Sequence, residues 1–292
     1  MLTEVVLHKG DKNKPLVVFV HGMGLDIRIW NAPAQARVLG GKYPLSVLFK
    51  GCDIELQTTF LDLNERGFPV LAWSQSRPAG PIGVGVAELD RVIHAHADHA
   101  GEGIVLIGHS RGGLIARKYL EQENALIRGF ITLATPHHGT SMARWVTYIS
   151  PFAAALERIL GKRHEEEART ALHRILAFLS STSVREMLPG SSFFAELKEI
   201  KQKGIRYVSL GGTSPDLVRF GGSSIIELAT KFIPERFVPE ELRKGYGDGM
   251  VSASSAVHPY ADEHQNFPVN HASILFDREA RGYIVKIMEQ MI

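Results

Sequence analysis

Ile-Val-Leu-Ile-Gly-His-Ser-Arg-Gly-Gly, residues 104–113, is the stretch of sequence that decides the fold. Its first four residues are apolar and typical of a buried strand, and residues 114–121 have helical spacing. The glycines at 108 and 112 flank Ser110 in a G-x-S-x-G pattern, which between a strand and a helix indicates a sharp turn with an exposed hydroxyl. The helix N-terminus would favour negative charge developing there. The pattern predicts Ser110 as a nucleophile; the alternative is a serine in an ordinary glycine-rich turn.

The flanking sequence alternates strand and helix patterns, which predicts a mostly parallel sheet. Continuous apolar runs predict buried strands at 16–20, 68–73, 104–107, 127–134 and 205–210. Apolar residues three or four positions apart predict helices at 56–66, 84–99, 114–121 and 277–291. With 292 residues, 45% of them hydrophobic, the chain can bury a large core.

Two segments interrupt this alternation with helical patterns alone. We therefore expect a core formed by 1–140 and 205–292, a helical cap at 141–204 and a second helical insertion at 217–245. The alternative is that these helices pack on the core without covering a site.

Charge and cysteine content narrow the range of functions. Charged residues make up 22% of the chain, the net charge is +2, and the basic residues are scattered, so we expect no nucleic-acid partner. The single cysteine, Cys52, excludes an internal disulfide and is typical of a reducing compartment. The sequence shows no signal peptide and no run of roughly 18 apolar residues. We expect a cytoplasmic protein, although a processed secreted chain would look the same.

A serine hydroxyl needs a base to take its proton and a carboxylate to orient that base. In a sheet of this kind the acid is expected after the serine and before the histidine. Asp248 is the best acid, because its flanking glycines permit a tight turn after the 205–210 strand. Asp216 and Asp262 are the alternatives.

The best base is His271, which follows Asp248 and precedes the C-terminal helix. The last loop of the sheet would deliver a histidine from this position to the serine. His258 and His264, which lie in the same loop-like stretch, are the alternatives.

The tetrahedral intermediate of acyl transfer needs two hydrogen-bond donors. The backbone N–H of Arg111, directly after the serine, is expected to be one of them. The N–H of Met23, in the loop after the first buried strand, is expected to be the other. The side chain of His21 is expected to brace that loop.

Five ordered motifs together resemble the bacterial lipase and esterase branch of the α/β-hydrolases, and they are also similar to inositol-deacylase-like lipases. The motifs lie at 20–24, 108–113, 135–140, 247–251 and 270–271. The resemblance implies an α/β-hydrolase fold, which is a doubly wound, mostly parallel sheet, with a mobile helical lid formed by the insertions. It also implies Ser110, Asp248 and His271 as a catalytic triad, with the Met23 and Arg111 amides as an oxyanion hole.

The resemblance implies hydrolysis of carboxylic esters by a lipase or esterase, through an acyl-enzyme on Ser110. A thioesterase, a phospholipase or another lipid deacylase with the same triad is the alternative, and a non-catalytic binding module is a third interpretation. Trp145, Ile149 and Phe152 are expected to contact an apolar acyl chain, with transient contact to a lipid surface. We expect no cofactor and no metal ion. One departure from the family is Arg111, which stands where Met or Gln is common.

Overall fold

The computed structural model describes residues 4–38, 43–44, 55–141, 181–217, 219–220, 223–224, 230 and 234–292. Within these residues the chain forms a seven-stranded sheet with helices packed on both faces. The predicted substrate contacts at Trp145, Ile149 and Phe152 lie outside the described residues.

The sheet is parallel except at one edge. Its strands are β1 (Glu4–His8), β2 (Leu16–Val20), β3 (Val70–Ser74), β4 (Ile104–His109), β5 (Ile127–Leu133), β6 (Arg206–Gly212) and β7 (Glu263–Phe267). Their order is β1-β3-β2-β4-β5-β6-β7, and only β1 runs antiparallel to its neighbour. Two further pairs of short strands join Arg37–Val38 to Tyr43–Pro44 and Arg219–Phe220 to Ser223–Ser224. The predicted doubly wound, mostly parallel sheet is confirmed.

The described helices lie in the connections between strands, and the last of them follows β7. They are α1 (Arg28–Asn31), α2 (Thr59–Glu65), α3 (Ile82–Ala95), α4 (Arg111–Leu120), α5 (Thr182–Glu186), α6 (Ser192–Ala195) and α7 (Arg278–Glu289). Short 3-10 turns occur at Pro33–Gln35, Ala97–His99, Glu235–Phe237, Glu240–Leu242 and Ser273–Leu275. The four core helices that the sequence predicts correspond to α2, α3, α4 and α7, with ends displaced by no more than about one turn.

Strand β2 shows how the sheet is buried on both faces. All five of its residues are inaccessible to solvent. Val17 and Phe19 belong to the core on one face, with residues of α1, α2 and α7, whereas Leu16 and Val18 belong to the core on the other face, with residues of α3 and α4. Because side chains alternate along a strand, only a continuous apolar run fills both layers.

The sequence patterns predict neither of the two edge strands, β1 and β7. Neither β1 nor β7 is apolar along its whole length, because an edge strand is partly exposed and tolerates polar residues. The sequence of β7 is Glu-His-Gln-Asn-Phe, which reads as a loop. The interpretation that places His264 in a loop is therefore wrong, since this residue pairs with Ser209 of β6.

The two insertions are described only in part. Residues 181–204 of the predicted cap contain α5 and α6, and residues 234–245 of the second insertion contain two 3-10 turns. The division into core and cap stays a prediction.

The turn between β4 and α4 is packed against β2 without space for side chains. A Cβ at Gly112 would lie 2.2 Å from the carbonyl oxygen of Val20, and a Cβ at Gly108 would lie 2.5 Å from the Cα of Gly113. These neighbours are backbone atoms, which cannot rotate away. The glycines therefore let the first turn of α4 rest directly on the end of β2.

We expect Gly112→Ala to lower the free energy of unfolding by about 1–3 kcal/mol, because the added methyl group forces the backbone apart. Gly282→Ala is the matched control: this glycine is exposed in α7, and a Cβ there meets no described atom within 4 Å beyond its chain neighbours and the backbone of its own helix. That change should raise stability by up to about 1 kcal/mol. Urea unfolding of both variants measures the difference. Equal stability of Gly112→Ala and the parent protein would contradict the close packing.

Candidate active site

Ser110 occupies a strained turn between β4 and α4. Its φ of 53° lies in the left-handed region, which residues other than glycine rarely adopt. The turn is held by surrounding contacts: the Ser110 N–H donates to the carbonyl of Leu133 at 2.8 Å, and a Cβ at Gly113 would lie 2.0 Å from Oγ1 of Thr135. The serine is 9% exposed. This strand–turn–helix geometry is the one that the glycine pattern predicts.

Asp248 and His271 form a hydrogen-bonded pair. Nδ1 of His271 donates to Oδ2 of Asp248 at 2.8 Å, and the backbone N–H of His271 donates to the Asp248 carbonyl at 2.9 Å. The second carboxylate oxygen accepts the N–H groups of Met250 at 2.9 Å and Val251 at 2.7 Å. The carboxylate is 1% exposed and has hydrogen bonds to both oxygens. It holds the proton of His271 on Nδ1, so that Nε2 is the nitrogen that can accept a proton.

His109 connects this pair to the serine. Its Nε2 donates to the carbonyl of His271 at 3.0 Å, and the two imidazole centroids are 4.9 Å apart. Ser110, the next residue, makes no side-chain hydrogen bond within the described part of the chain. A bond between nucleophile and base often tightens only in the substrate complex. Because β4, β6 and β7 are parallel, the residues that follow them lie together at the C-terminal edge of the sheet, where these strands end.

The two alternative acids lie at different distances from the site. Asp262 forms an ion pair with Lys201 and accepts the N–H of Tyr207 at 2.9 Å, at the opposite end of β6 from the serine. Asp216 lies nearer, since its backbone carbonyl accepts the side-chain amide of Asn270 at 2.8 Å.

The alternative bases are also held in other contacts. Nδ1 of His258 accepts the N–H of Tyr260 at 3.1 Å. His264 lies 2.8 Å from the hydroxyl of Ser209 through Nδ1 and 3.1 Å from Oδ1 of Asn266 through Nε2. Of the three candidate histidines, His271 has a carboxylate on Nδ1.

The loop after β2 passes directly beside the serine. A Cβ at Gly22 would lie 3.3 Å from the Cβ of Ser110. His21 is buried and donates from Nδ1 to the carbonyl of Gly22 at 2.9 Å, while its Nε2 accepts the N–H of Gln75 at 3.0 Å. The expected bracing role of His21 is confirmed, and Gln75 is a partner that the sequence does not indicate.

The predicted oxyanion donors are both backbone groups at this edge. Arg111 is the first residue of α4, so that its N–H has no acceptor within the helix. Met23 follows Gly22 in the loop beside the serine. Their role as donors stays a prediction.

The described residues contain no group of three or more His, Cys, Asp or Glu side chains placed to hold a metal ion. None of their helices is long and apolar enough to cross a bilayer.

Comparisons with known proteins identify the family and the fold. A family model described as the alpha/beta hydrolase family matches residues 17–265, and the chain belongs to this family. A search of curated proteins finds no match.

The fold is also similar to those of solved esterases and lipases. Bacillus licheniformis lipase BlEst2 in its propeptide form is 18% identical, with a TM-score of 0.63 over 98% of this chain and 53% of that one. This chain thus spans about half the length of the propeptide form. The mature form of BlEst2 is 18% identical, with a TM-score of 0.55 over 98% of both chains. A structure from a study of carboxylesterases of Nitrososphaera gargenis is 15% identical, with a TM-score of 0.50 over 99% of this chain and 94% of that one.

Several histidines are kept neutral by burial, and two of them lie near the site. Burial lowers the pKa of His21 from 6.5 to about 4 and that of His109 from 6.5 to about 3, and the nearby His271 lowers the second value further. Burial also lowers the pKa of His258 to about 3. An unfolded chain would bind protons on these side chains near pH 6.5, whereas the folded chain would not.

We therefore expect the free energy of unfolding to have its full value above pH 6.5 and to decrease as the pH falls from 6.5 towards about 4. Each buried histidine adds at most about 1.4 kcal/mol per pH unit to the slope of the free energy of unfolding against pH. His258→Gln should reduce the slope, because it removes one of the buried histidines. Urea unfolding at pH 7.5, 6.5 and 5.5 measures this slope, and equal stability at all three pH values would contradict the expectation.

Proposed function

We propose that the protein is a serine carboxylic-ester hydrolase, a lipase or esterase that works through an acyl-enzyme on Ser110. The observation that carries the proposal is the hydrogen-bonded pair of Asp248 and His271, joined through His109 to a strained serine turn. A carboxylate that orients an imidazole beside an activated serine is the recurring arrangement of serine hydrolases. Membership of the alpha/beta hydrolase family supports the same assignment.

The proposed reaction has two halves. The Ser110 hydroxyl attacks the ester carbonyl while Nε2 of His271 takes its proton, and the resulting tetrahedral intermediate breaks down as the histidine returns that proton to the leaving alcohol. A water molecule, deprotonated by the same nitrogen, then attacks the acyl-enzyme. The bond between the acyl carbon and Oγ of Ser110 breaks as the histidine returns this proton to Oγ, and the acid is released. Asp248 stays ionised throughout and stabilises the imidazolium.

The negative oxygen of each tetrahedral intermediate would accept hydrogen bonds from the N–H groups of Met23 and Arg111. The helix α4, which begins at Arg111, adds the positive end of its dipole to these donors. For the acyl group we retain Trp145, Ile149 and Phe152 as proposed apolar contacts, with transient contact to a lipid surface. A series of p-nitrophenyl esters from acetate to palmitate measures the preferred chain length.

Ser110→Ala should abolish covalent labelling by a fluorophosphonate probe and reduce kcat for p-nitrophenyl esters by at least about 10⁴-fold, because the variant has no nucleophile. Ser254→Ala, at an exposed serine bonded to Glu240, is the matched control and should be labelled like the parent protein. Labelling that persists in Ser110→Ala would assign the nucleophile elsewhere.

Asp248→Asn should reduce kcat by about 10⁴-fold, because an amide at this position favours the wrong tautomer of His271. Asp216→Asn is the matched control, since Asp216 is the nearest alternative acid, and it should retain activity within a few-fold. Steady-state kinetics with p-nitrophenyl butyrate measures both variants. The reverse pattern would make Asp216 the acid.

A further inference from the structure

The side chain of Arg111 is fully buried and reaches away from the serine. Its Nη2 donates to the backbone carbonyls of Gly80 at 2.8 Å and Pro81 at 3.2 Å, directly before α3. Its Nη1 donates to the side-chain oxygen of Gln75. A single side chain therefore ties the first residue of α4 to the end of β3 and to the start of α3.

Gln75 carries this connection on to the loop after β2. Its side-chain NH₂ donates to the carbonyl of His21 at 2.8 Å, and its backbone N–H donates to Nε2 of the same residue at 3.0 Å. His21 in turn donates to the carbonyl of Gly22. The three linked side chains of Arg111, Gln75 and His21 are all at least 95% buried. They form one buried network, which we call the Arg111–Gln75–His21 network.

The network joins the two loops that hold the proposed oxyanion donors. One donor is the N–H of Arg111 itself, and the other belongs to Met23, two residues after His21. A donor contributes most when it is fixed before the reaction, because no reorganisation is then needed as charge develops. Displacement of such a group by about 1 Å can cost a large factor in rate.

Among the described residues, no carboxylate contacts the buried guanidinium of Arg111, which therefore needs another source of stabilisation. Desolvation lowers the pKa of Arg111 from its ordinary value to about 10, and the charges of Glu186 and Glu88 raise it, so that the side chain stays protonated at neutral pH. Glu186 accepts the N–H of Ile82 at 2.8 Å, at the N-terminus of α3. The cation is thus stabilised by neutral oxygen acceptors and by carboxylates at longer range.

We propose that Arg111 is a positioning residue, whose side chain fixes the second oxyanion donor loop through Gln75 and His21. This inference rests on the proposed function, because the loop matters for rate only if Met23 donates to the reacting oxygen. Arg117 offers the comparison: it is the other arginine of α4, it is also mostly buried, and its Nη1 donates to the carbonyl of His137 at 2.7 Å, outside the network.

The test uses Arg111→Met, Gln75→Met, the double variant, and Arg117→Met as the matched control. Methionine keeps much of the side-chain volume and removes the donors. Kinetics with p-nitrophenyl butyrate are measured together with inhibition by an alkyl trifluoromethyl ketone, whose adduct with the serine places an oxyanion between the donors. Thermal unfolding of each variant reports whether it is folded.

For Arg111→Met and Gln75→Met we expect kcat to fall about 10- to 100-fold with KM within about twofold, and the inhibition constant of the ketone to rise by a similar factor. The double variant should be about as slow as the slower single variant, because both changes break the same network. Arg117→Met should keep kcat within about twofold. If Arg111→Met does not fold, Gln75→Met alone carries the test, because Arg111 keeps its two carbonyl contacts there.

Unchanged kcat in Gln75→Met, a rise in KM alone, or an equal loss in Arg117→Met would each overturn the positioning role. These outcomes require an active parent protein. A parent protein that does not react with fluorophosphonate and hydrolyses no ester would instead overturn the proposed function, and the positioning role with it.

Discussion

The backbone contact between the first turn of α4 and the end of β2 is the constraint on which the site depends. Gly112 brings this turn against the Val20 carbonyl at a distance that no side chain would permit. The close approach places the residue before the helix in a left-handed conformation, and that residue is Ser110. It also brings the loop after β2 against the serine, so that the nucleophile and both proposed oxyanion donors are placed by one packing arrangement. The strain at Ser110 is sustained by the sheet and helix around it.

The acid and the histidine are fixed in a different way, by hydrogen bonds within loops. The Asp248 carboxylate is almost fully buried, which would be costly for an isolated charge. Two backbone N–H groups and the imidazole N–H of His271 supply the hydrogen bonds that lower this cost. His109 adds a neutral imidazole that donates to the His271 carbonyl without adding a second positive charge, because burial keeps its pKa near 3. The histidine is therefore held through both its ring and its main chain.

Local sequence patterns predicted the central strands and the core helices because each is encoded by its own periodicity. Strand β2 reads as a continuous apolar run since both of its faces are buried, whereas β7 reads as a loop since an edge strand has no such requirement. The pairing of Asp248 with His271 followed from chain order and glycine-flanked turns. The link from Arg111 to Gln75 could not be predicted, because it joins residues 36 positions apart through a rotamer that only the folded core defines. The one local signal for this link is that Gln75, a polar residue, directly follows the buried strand β3.

A charged residue after the nucleophile also bears on how the fold balances stability and function. An apolar side chain at position 111 would avoid the desolvation cost of a buried guanidinium, and by that measure arginine is the worse choice for folding. The cost is partly offset by the carbonyls of Gly80 and Pro81, which receive donors that an apolar residue would not supply. Yet Nε of Arg111 has no partner among the described residues, so that the compensation is incomplete. A buried cation with incomplete compensation is better explained by what it positions than by what it stabilises, and the network through Gln75 and His21 leads to the loop that holds the other proposed oxyanion donor.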